Sequence, residues 1–369
     1  MTVLGQRPAG ALDQAVVPTP PLRDKGNAMN LRSDASVDVH GHAAPEFLRE
    51  AVEAATAAPS IHNTQPWLFR LSSDEASGAV ELYADRSRSL DAIDRSGRQL
   101  EISCGVALFF LRIALRAVGF DATVTLLPDD DPDHLASVAV RRGSNPSAEE
   151  QALATAIPKR HSQRSAFEAR EVAPELLNEL RQAAETEGAW LALIYRRDDQ
   201  LKLITLLSRA DRELAHDPAY LEELRSWLRT DNSPDGIALD ALPDHIERHT
   251  EVVIRDFNPS KIGEQPAELP EQPPVDEHPA LAVLGTDSDR VVDHLAAGSA
   301  LGRLLLHAEA NGISASLLGQ VVDLPGPRAQ LRSELNLIGE PQTVLRLGYG
   351  RGTTEVTSGR RPLADMLLS

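Results

Sequence analysis

The chain has 369 residues, a net charge of −18, 42% hydrophobic residues and one cysteine. The acidic balance argues against general nucleic-acid binding, and a single cysteine excludes both an internal disulfide framework and a multi-cysteine metal site. No apolar run reaches transmembrane length, so we expect no membrane partner and a cytoplasmic location.

The first part of the chain shows no sign of regular structure. Residues 1–42 lack hydrophobic periodicity and contain several prolines among scattered charges. This composition predicts a flexible tail, because it cannot bury enough apolar surface to offset the entropy of folding. The sequence leaves open whether translation starts at Met1 or at Met29.

A polar loop follows the first predicted helix. The helix ends before Pro59, because the residue preceding a proline is disfavoured in the α-helical region. The loop closes at Pro66-Trp67 and is rich in small hydrogen-bonding side chains: Ser60, His62, Asn63, Thr64 and Gln65. This composition suits contact with a flat ligand that has a polar edge, and a well-capped connecting loop is the alternative.

The first helix and strand have a counterpart later in the chain. Residues 45–55 and 174–184 are identical at six of eleven aligned positions. Each segment is followed by a predicted strand that opens with Trp-Leu, at Trp67 and at Trp190.

Two long apolar segments form a second repeated block. Residues 105–122 align without a gap with residues 298–315. Both predict helices that are buried on every face, and Cys104 in the first is predicted to be a core residue. Blocks in the same order indicate an internal duplication, with halves at 43–150 and 151–369.

A basic segment, Lys159–Arg164, concentrates positive charge in an otherwise acidic chain. Arginine side chains bind phosphate groups with bidentate geometry, and Ser162 adds a hydroxyl donor. The segment predicts a phosphate site, and a solvated basic stretch before a helix is the alternative.

The second half also contains a proline-rich stretch around residues 231–279. Structureless insertions longer than about 12–15 residues are usually functional lids or linkers. We therefore predict a lid-like insertion here, and a surface excursion without a role is the alternative.

Both polar segments resemble motifs of the FMN-dependent nitroreductase superfamily. The stretch from Pro59 to Trp67 resembles its Pro-Ser-x-x-Asn-x-Gln-Pro-Trp segment, and Arg160–Arg164 resembles its Arg-x-Ser-x-Arg/Lys segment for the ribityl phosphate. Here the phosphate segment comes second. That order is similar to the order in an actinobacterial branch of the family, in which two nitroreductase-like halves lie in one chain and which includes mycobacterial Acg.

The resemblance implies an α+β fold, a nitroreductase-like fold duplicated within one chain, with the halves packed like the family's homodimer. The protein would then be a monomer that mimics a dimer. Each flavin motif occurs once, so we expect one FMN per chain.

The resemblance also assigns flavin-binding residues. A C-terminal basic segment, Gly359–Leu363, resembles the family's terminal phosphate contact, and the choice between its two arginines stays open. The predicted FMN contacts are Pro59, Ser60, Asn63, Gln65, Arg160, His161, Ser162, Arg164, Leu318, Gly319 and one or both of Arg360 and Arg361.

The implied activity is transfer of a hydride from NAD(P)H to flavin N5 and of electrons to a small acceptor, such as a nitroaromatic or quinone-like compound. No side chain is assigned as a catalytic nucleophile and no metal is expected. The alternative function is a flavin-sequestering protein whose FMN is covered by the lid. The sequence does not distinguish NADH from NADPH.

Overall fold

The order of helices and strands in the first half of the chain repeats in the second. The structure, a computed structural model, describes residues 46–74, 77–231, 233–239, 276–350 and 358–368, which fall within one compact unit. The predicted tail lies outside the described residues. The first half contains α1 (Glu46–Ala55), β1 (Trp67–Asp74), β2 (Ser77–Ala84), α2 (Arg98–Ala117), β3 (Phe120–Leu126) and β4 (His134–Arg142).

The second half repeats this series with additions. Its elements are α3 (Ala148–Ala156), α4 (Pro174–Thr186), β5 (Trp190–Leu193), α5 (Arg197–Ala215), α6 (Pro218–Trp227), β6 (Leu228–Arg229), β7 (Ile237–Ala238), β8 (Ala280–Thr286), α7 (Val291–Ala310), β9 (Ser314–Leu317), α8 (Gln320–Asp323), α9 (Pro325–Glu334), β10 (Glu340–Gly348) and β11 (Leu367–Leu368).

Each half forms one sheet with the same strand order. The first sheet runs β1–β2–β4–β3 and the second runs β5–β8–β10–β9. Equivalent strands therefore occupy equivalent places, which confirms the predicted α+β fold with an internal duplication. The C-terminal strand β11 adds to the first sheet and runs parallel to β1, pairing Leu367 with Phe69.

The halves meet along α2 and α7, the two apolar helices of the repeat. A Cβ built on Gly298 would lie 2.7 Å from Gly105 Cα, and one built on Gly105 would lie 2.9 Å from Gly298 Cα. Gly105 in α2 also packs against the Leu295 carbonyl oxygen of α7, and Gly298 in α7 packs against the Ile102 carbonyl oxygen of α2. Because the four residues are equivalent in pairs, the halves share a self-matching contact like that of a two-fold dimer.

Polar groups fix the start of α2 and tie it to the second half. The Asp94 carboxylate accepts hydrogen bonds from the backbone N–H groups of Gln99 and Leu100 at 3.0 and 2.9 Å. Burial of this carboxyl group raises its pKa to about 6. Arg98, the first residue of the helix, donates to the carbonyl oxygen of Gln342 at 2.9 Å and so links the two halves.

The largest difference between the halves lies between their first two strands. Two residues separate β1 from β2, whereas residues 194–279 separate β5 from β8. The longer connection includes α5, α6 and the short β6–β7 ladder, so it starts earlier than the predicted insertion at 231–279. Residues 240–275, which contain most of the predicted lid, lie outside the described residues.

The sequence pattern places the boundary between the halves after residue 150, which falls within α3. This helix precedes the basic segment of the second half and packs against both α2 and α7. We propose that the boundary lies in the loop between β4 and α3.

Cys104 lies in the core, as predicted. Its side chain is fully buried in α2, and its Sγ lies 3.2 Å from the carbonyl oxygen of Pro66. Burial raises the pKa of the thiol, which argues against a nucleophilic role.

No helix in the described ranges is long and apolar enough to cross a membrane. The same ranges hold no group of three or more His, Cys, Asp or Glu side chains arranged to bind a metal ion.

Candidate functional site

The polar loop between α1 and β1 has an unusual backbone. His62, Asn63 and Gln65 have φ angles of 47°, 55° and 50°, a left-handed conformation that is uncommon outside glycine. The Ser60 hydroxyl oxygen accepts the backbone N–H of Gln65 at 2.9 Å and so closes the loop. Strained backbone of this kind persists where the surrounding structure holds it, and such places are often functional.

The amide side chains of this loop bind other parts of the chain. Asn63 Nδ2 donates to the carbonyl oxygens of Gly236 and Gly359, at 3.1 and 3.2 Å. Gln65, which is fully buried, donates from Nε2 to the carbonyl oxygen of Pro234 at 2.8 Å and accepts the Arg361 backbone N–H at 2.9 Å. Both amide side chains are thus already hydrogen-bonded within the chain, and their flavin role stays a prediction.

The basic segment lies against β9. Ser162 forms a parallel bridge with Ala315, and the Gln163 backbone N–H donates to the Ala315 carbonyl oxygen at 2.8 Å. These contacts hold the segment along the edge of the second sheet. His161 is exposed and its ring lies 3.2 Å from the Lys159 carbonyl oxygen, so it turns towards its own backbone.

Arg160 points from this segment towards the first half. Its Nη2 lies 3.5 Å from the carbonyl oxygen of Ala57, just beyond α1. Its Nε and Nη1 are buried and have no hydrogen-bond partner among the described residues. Buried guanidinium N–H groups without partners are costly, so Arg160 is a candidate for contact with a ligand.

Arg360 converges on the same point. Its Nη2 donates to the Ala57 carbonyl oxygen at 3.1 Å, its Nη1 donates to Asn63 Oδ1 at 3.2 Å, and its Nε is buried without a partner in the described part of the chain. Arg361 turns elsewhere, donating to the Gln65 carbonyl oxygen and lying 3.3 Å from Asp85. Of the two C-terminal arginines, the structure therefore places Arg360 beside Arg160.

The two guanidinium groups are electrostatically frustrated. Burial and the neighbouring charge of Arg360 lower the pKa of Arg160 to about 9, with Glu309 acting in the opposite direction. Burial lowers the pKa of Arg360 to about 10. Two buried cations that share one carbonyl oxygen and keep unused donors make this a candidate site for an anion. We call Arg160 and Arg360 the arginine pair.

The remaining predicted residues lie in the basic segment, after β9 and at the start of the polar loop. Burial lowers the pKa of Arg164. Leu318 is buried, and its backbone N–H donates to the Val344 carbonyl oxygen at 2.8 Å. Gly319 precedes α8, and Pro59 is half-buried at the start of the polar loop.

Sequence reasoning missed two components of the site. The Ala57 carbonyl oxygen, shared by the arginine pair, is a backbone group that no sequence motif could have marked. The residues around Pro234 and Gly236 predict a turn, but nothing in the sequence predicts that this turn contacts Asn63 and Gln65.

The second half has a shorter connection at the position that corresponds to the polar loop. The polar loop between α1 and β1 corresponds to the short connection Glu187–Ala189 between α4 and β5. Glu187 has a side chain only 6% exposed and accepts hydrogen bonds from Arg112 of α2 at 2.6 Å and Arg303 of α7 at 2.9 Å. Both long helices thus hold this carboxylate where the first half presents its amide side chains.

The chain was compared with protein families, curated proteins and solved structures. No protein-family model matches it. An uncharacterised Mycobacterium tuberculosis H37Rv protein is 32% identical over 325 residues, which is 87% of this chain and 92% of the relative. The same organism's Acg, named "Putative NAD(P)H nitroreductase", is 26% identical over 87% of this chain and 95% of its own length.

A solved nitroreductase with bound FMN from Desulfitobacterium hafniense is 13% identical, with a TM-score of 0.38, over 59% of this chain and 97% of its own. A further M. tuberculosis H37Rv protein named as a putative NAD(P)H nitroreductase is 31% identical over 85% of this chain and 90% of its own length. By this similarity the chain belongs to the nitroreductase family.

Proposed function

We propose that the protein is an FMN-dependent NAD(P)H oxidoreductase that passes electrons to a small acceptor such as a nitroaromatic or quinone-like compound. The observation that carries this proposal is the arginine pair, with unused buried donors at the junction of the two halves. The names of the M. tuberculosis relatives support the nicotinamide donor.

The residues fit the phosphate of FMN. A phosphate monoester carries about 1.5–2 negative charges at neutral pH and three acceptor oxygens. Nε and Nη1 of Arg160 and Nε of Arg360 are buried donors without partners among the described residues. An anion of two charges would neutralise the pair and satisfy these groups in an otherwise acidic protein.

The chain's own residues would bind and orient the cofactor. Arg160 and Arg360 would hold the phosphate. Ser162, two residues after Arg160 and paired with Ala315 of β9, would supply a further hydroxyl group. The chemistry that FMN supplies when bound is hydride acceptance from NAD(P)H and electron donation to the acceptor. The proposed mechanism needs no nucleophilic side chain, and the buried thiol of Cys104 has no part in it.

We further propose one FMN per chain, in a cytoplasmic monomer. The first half presents the polar loop and the second supplies Arg160, so one complete set of parts is formed across the junction. The connection that corresponds to the polar loop in the second half is short and carries Glu187, held by Arg112 and Arg303, in place of the amide side chains.

The test begins with the purified protein. Denaturation of the protein, as purified or after reconstitution with FMN, should release one FMN per chain. In a separate sample of folded, FMN-bound protein, anaerobic NADPH or NADH should bleach the flavin absorbance. A quinone or nitroaromatic compound should restore the absorbance. Failure to bind FMN after reconstitution would overturn the proposal. Bound FMN that neither nicotinamide reduces would leave a flavin-sequestering protein instead.

A further inference from the structure

Asn63 joins three segments of the chain that are distant in sequence. Its Nδ2 donates to the carbonyl oxygens of Gly236 at 3.1 Å and Gly359 at 3.2 Å, and its Oδ1 accepts from Arg360 Nη1 at 3.2 Å. The same Nη1 group also donates to the Gly359 carbonyl oxygen at 2.9 Å, so Asn63 and Arg360 share this acceptor. The Gly236 backbone N–H donates back to the Asn63 carbonyl oxygen at 3.3 Å. The side chain of Asn63 is therefore engaged on both its nitrogen and its oxygen.

The segments joined by Asn63 also pack directly on one another. A Cβ built on Gly359 would meet the carbonyl oxygen of Ser233 and lie 2.9 Å from Pro234 Cα. The two backbones can approach this closely because Gly359 has no side chain. We call the contact between residues 60–65, 233–236 and 358–361 the three-segment junction.

Other bonds hold the near side of this junction. Asp235 forms ion pairs with Arg88 and Arg229, and its pKa is lowered by hydrogen bonds to both, against the effect of burial. Arg88 also donates to the Thr64 carbonyl oxygen. Residues 233–236 are thus fastened to the loop that carries Asn63 and, through Asn63, to an arginine of the anion site.

We propose that Asn63 is a positioning residue, which orients Arg360 in the anion site and couples anion binding there to the order of residues 233–236. The inference rests on the anion site of the proposed function. An anion that fixes the Arg360 guanidinium also fixes the Nη1 group that Asn63 Oδ1 accepts, and hence the orientation in which Nδ2 reaches Gly236. Coupling between two sites is reciprocal, so order at residues 233–236 also favours anion binding.

The coupling can be measured by hydrogen exchange of a peptide that contains Gly236, in the full-length protein. The probes are FMN, inorganic phosphate and riboflavin, which lacks the phosphate. FMN and phosphate should slow exchange of the Gly236 N–H, by up to about a hundredfold at a ligand concentration 100 times the Kd. Riboflavin should give much weaker protection at equal occupancy.

Asn63→Gly removes the side chain and keeps a residue that tolerates the φ of 55°. It should weaken FMN binding about tenfold, the effect of one charge-assisted hydrogen bond, and abolish the ligand-dependent protection of Gly236. Asn336→Gly makes the same change at an exposed asparagine after α9 with a φ of 51°, so it is the control and should retain both. If Asn63→Gly fails to fold, Arg360→Lys tests the same link, because lysine keeps the charge and loses the planar donor fork.

Protection of Gly236 that persists in Asn63→Gly, or in Arg360→Lys, would overturn the inference, as would FMN binding without any change at Gly236. These outcomes differ from failure of the proposed function. If the protein does not bind FMN but inorganic phosphate still protects the Gly236 N–H from exchange, the coupling is supported and FMN is refuted as the ligand.

Discussion

The carboxylate of Glu277 accepts hydrogen bonds from Nη2 of Arg346, with both oxygens at 2.6 Å, in a pair that is almost completely buried. Arg346 lies in β10 and is neutralised by a residue that the sequence pattern assigns to a structureless insertion. The second Glu277 oxygen also accepts the Phe167 backbone N–H at 2.8 Å. The last residues before β8 are therefore part of the packed structure, which composition did not reveal.

Glu277→Ala should be strongly destabilising. It leaves Arg346 as an unpaired buried cation, at a cost of about 3–5 kcal/mol in the free energy of unfolding. The double variant Glu277→Leu with Arg346→Met should recover most of the loss, because it removes both charges. Urea denaturation monitored by fluorescence checks this, and a double variant no more stable than Glu277→Ala would contradict it.

A truncation designed around this pair tests the predicted lid. Replacing residues 241–274 with a short glycine-serine bridge keeps Glu277, so the protein should fold and retain FMN. If those residues cover the proposed FMN site, anaerobic NADPH should bleach the truncated protein faster than the full chain, as measured by stopped-flow absorbance. Equal rates would show that they do not gate access. A truncation that continues through residue 279 should instead unfold the protein.

Arg160→Ala and Arg360→Ala should each weaken FMN binding about 10- to 100-fold, from loss of charge-assisted hydrogen bonds worth about 1.5–3 kcal/mol. Riboflavin binding should change little. Arg361→Ala is the matched control, since its guanidinium group faces Asp85, and it should leave the ratio of FMN to riboflavin affinity unchanged. Fluorescence titration measures both ligands. Equal losses for both ligands would show that the arginine pair holds something other than the phosphate.

Gly298→Ala should destabilise the protein by at least about 1–3 kcal/mol, because its Cβ would collide with backbone atoms of Ile102 and Gly105. Gly302→Ala in the same helix is the control, because the nearest atoms to a Cβ there belong to the Phe109 side chain, at 3.0–3.3 Å. It should cost less than Gly298→Ala, since a side chain can shift more easily than backbone. Chemical denaturation of both variants decides, and similar effects would show that α2 and α7 do not pack as described.

Asp94 should make stability depend on pH. Its folded pKa of about 6 lies above the ordinary value of 3.8, so its contribution is greatest in acid and is lost as the pH rises through 6. Between pH 4 and pH 7.5 this group should remove about 2.4 kcal/mol from the free energy of unfolding. Asp94→Asn does not titrate, so its stability should fall less over that range. Parallel pH profiles for the two proteins would contradict the assignment.

Sequence reasoning was strongest where apolar pattern decides the structure. The helices around Gly105 and Gly298 and the strands that open at Trp67 and Trp190 were predicted because burial imposes periodicity and the repeat shows it twice. The anion site was predicted less completely. A motif marks Arg160, but the choice of Arg360 over Arg361 depends on how the C-terminal segment crosses the polar loop. Long-range contacts of that kind leave no local signal.

The contact between Gly105 and Gly298 has an evolutionary consequence. In a homodimer, every substitution appears on both sides of the two-fold axis, so the two equivalent sites must change together. Here the equivalent positions are encoded separately, and a substitution in one half leaves the other untouched. One half could therefore acquire Glu187 and the arginines that hold it, while the other kept the polar loop. The linkage also makes assembly of the halves independent of dilution, because no second chain has to be found.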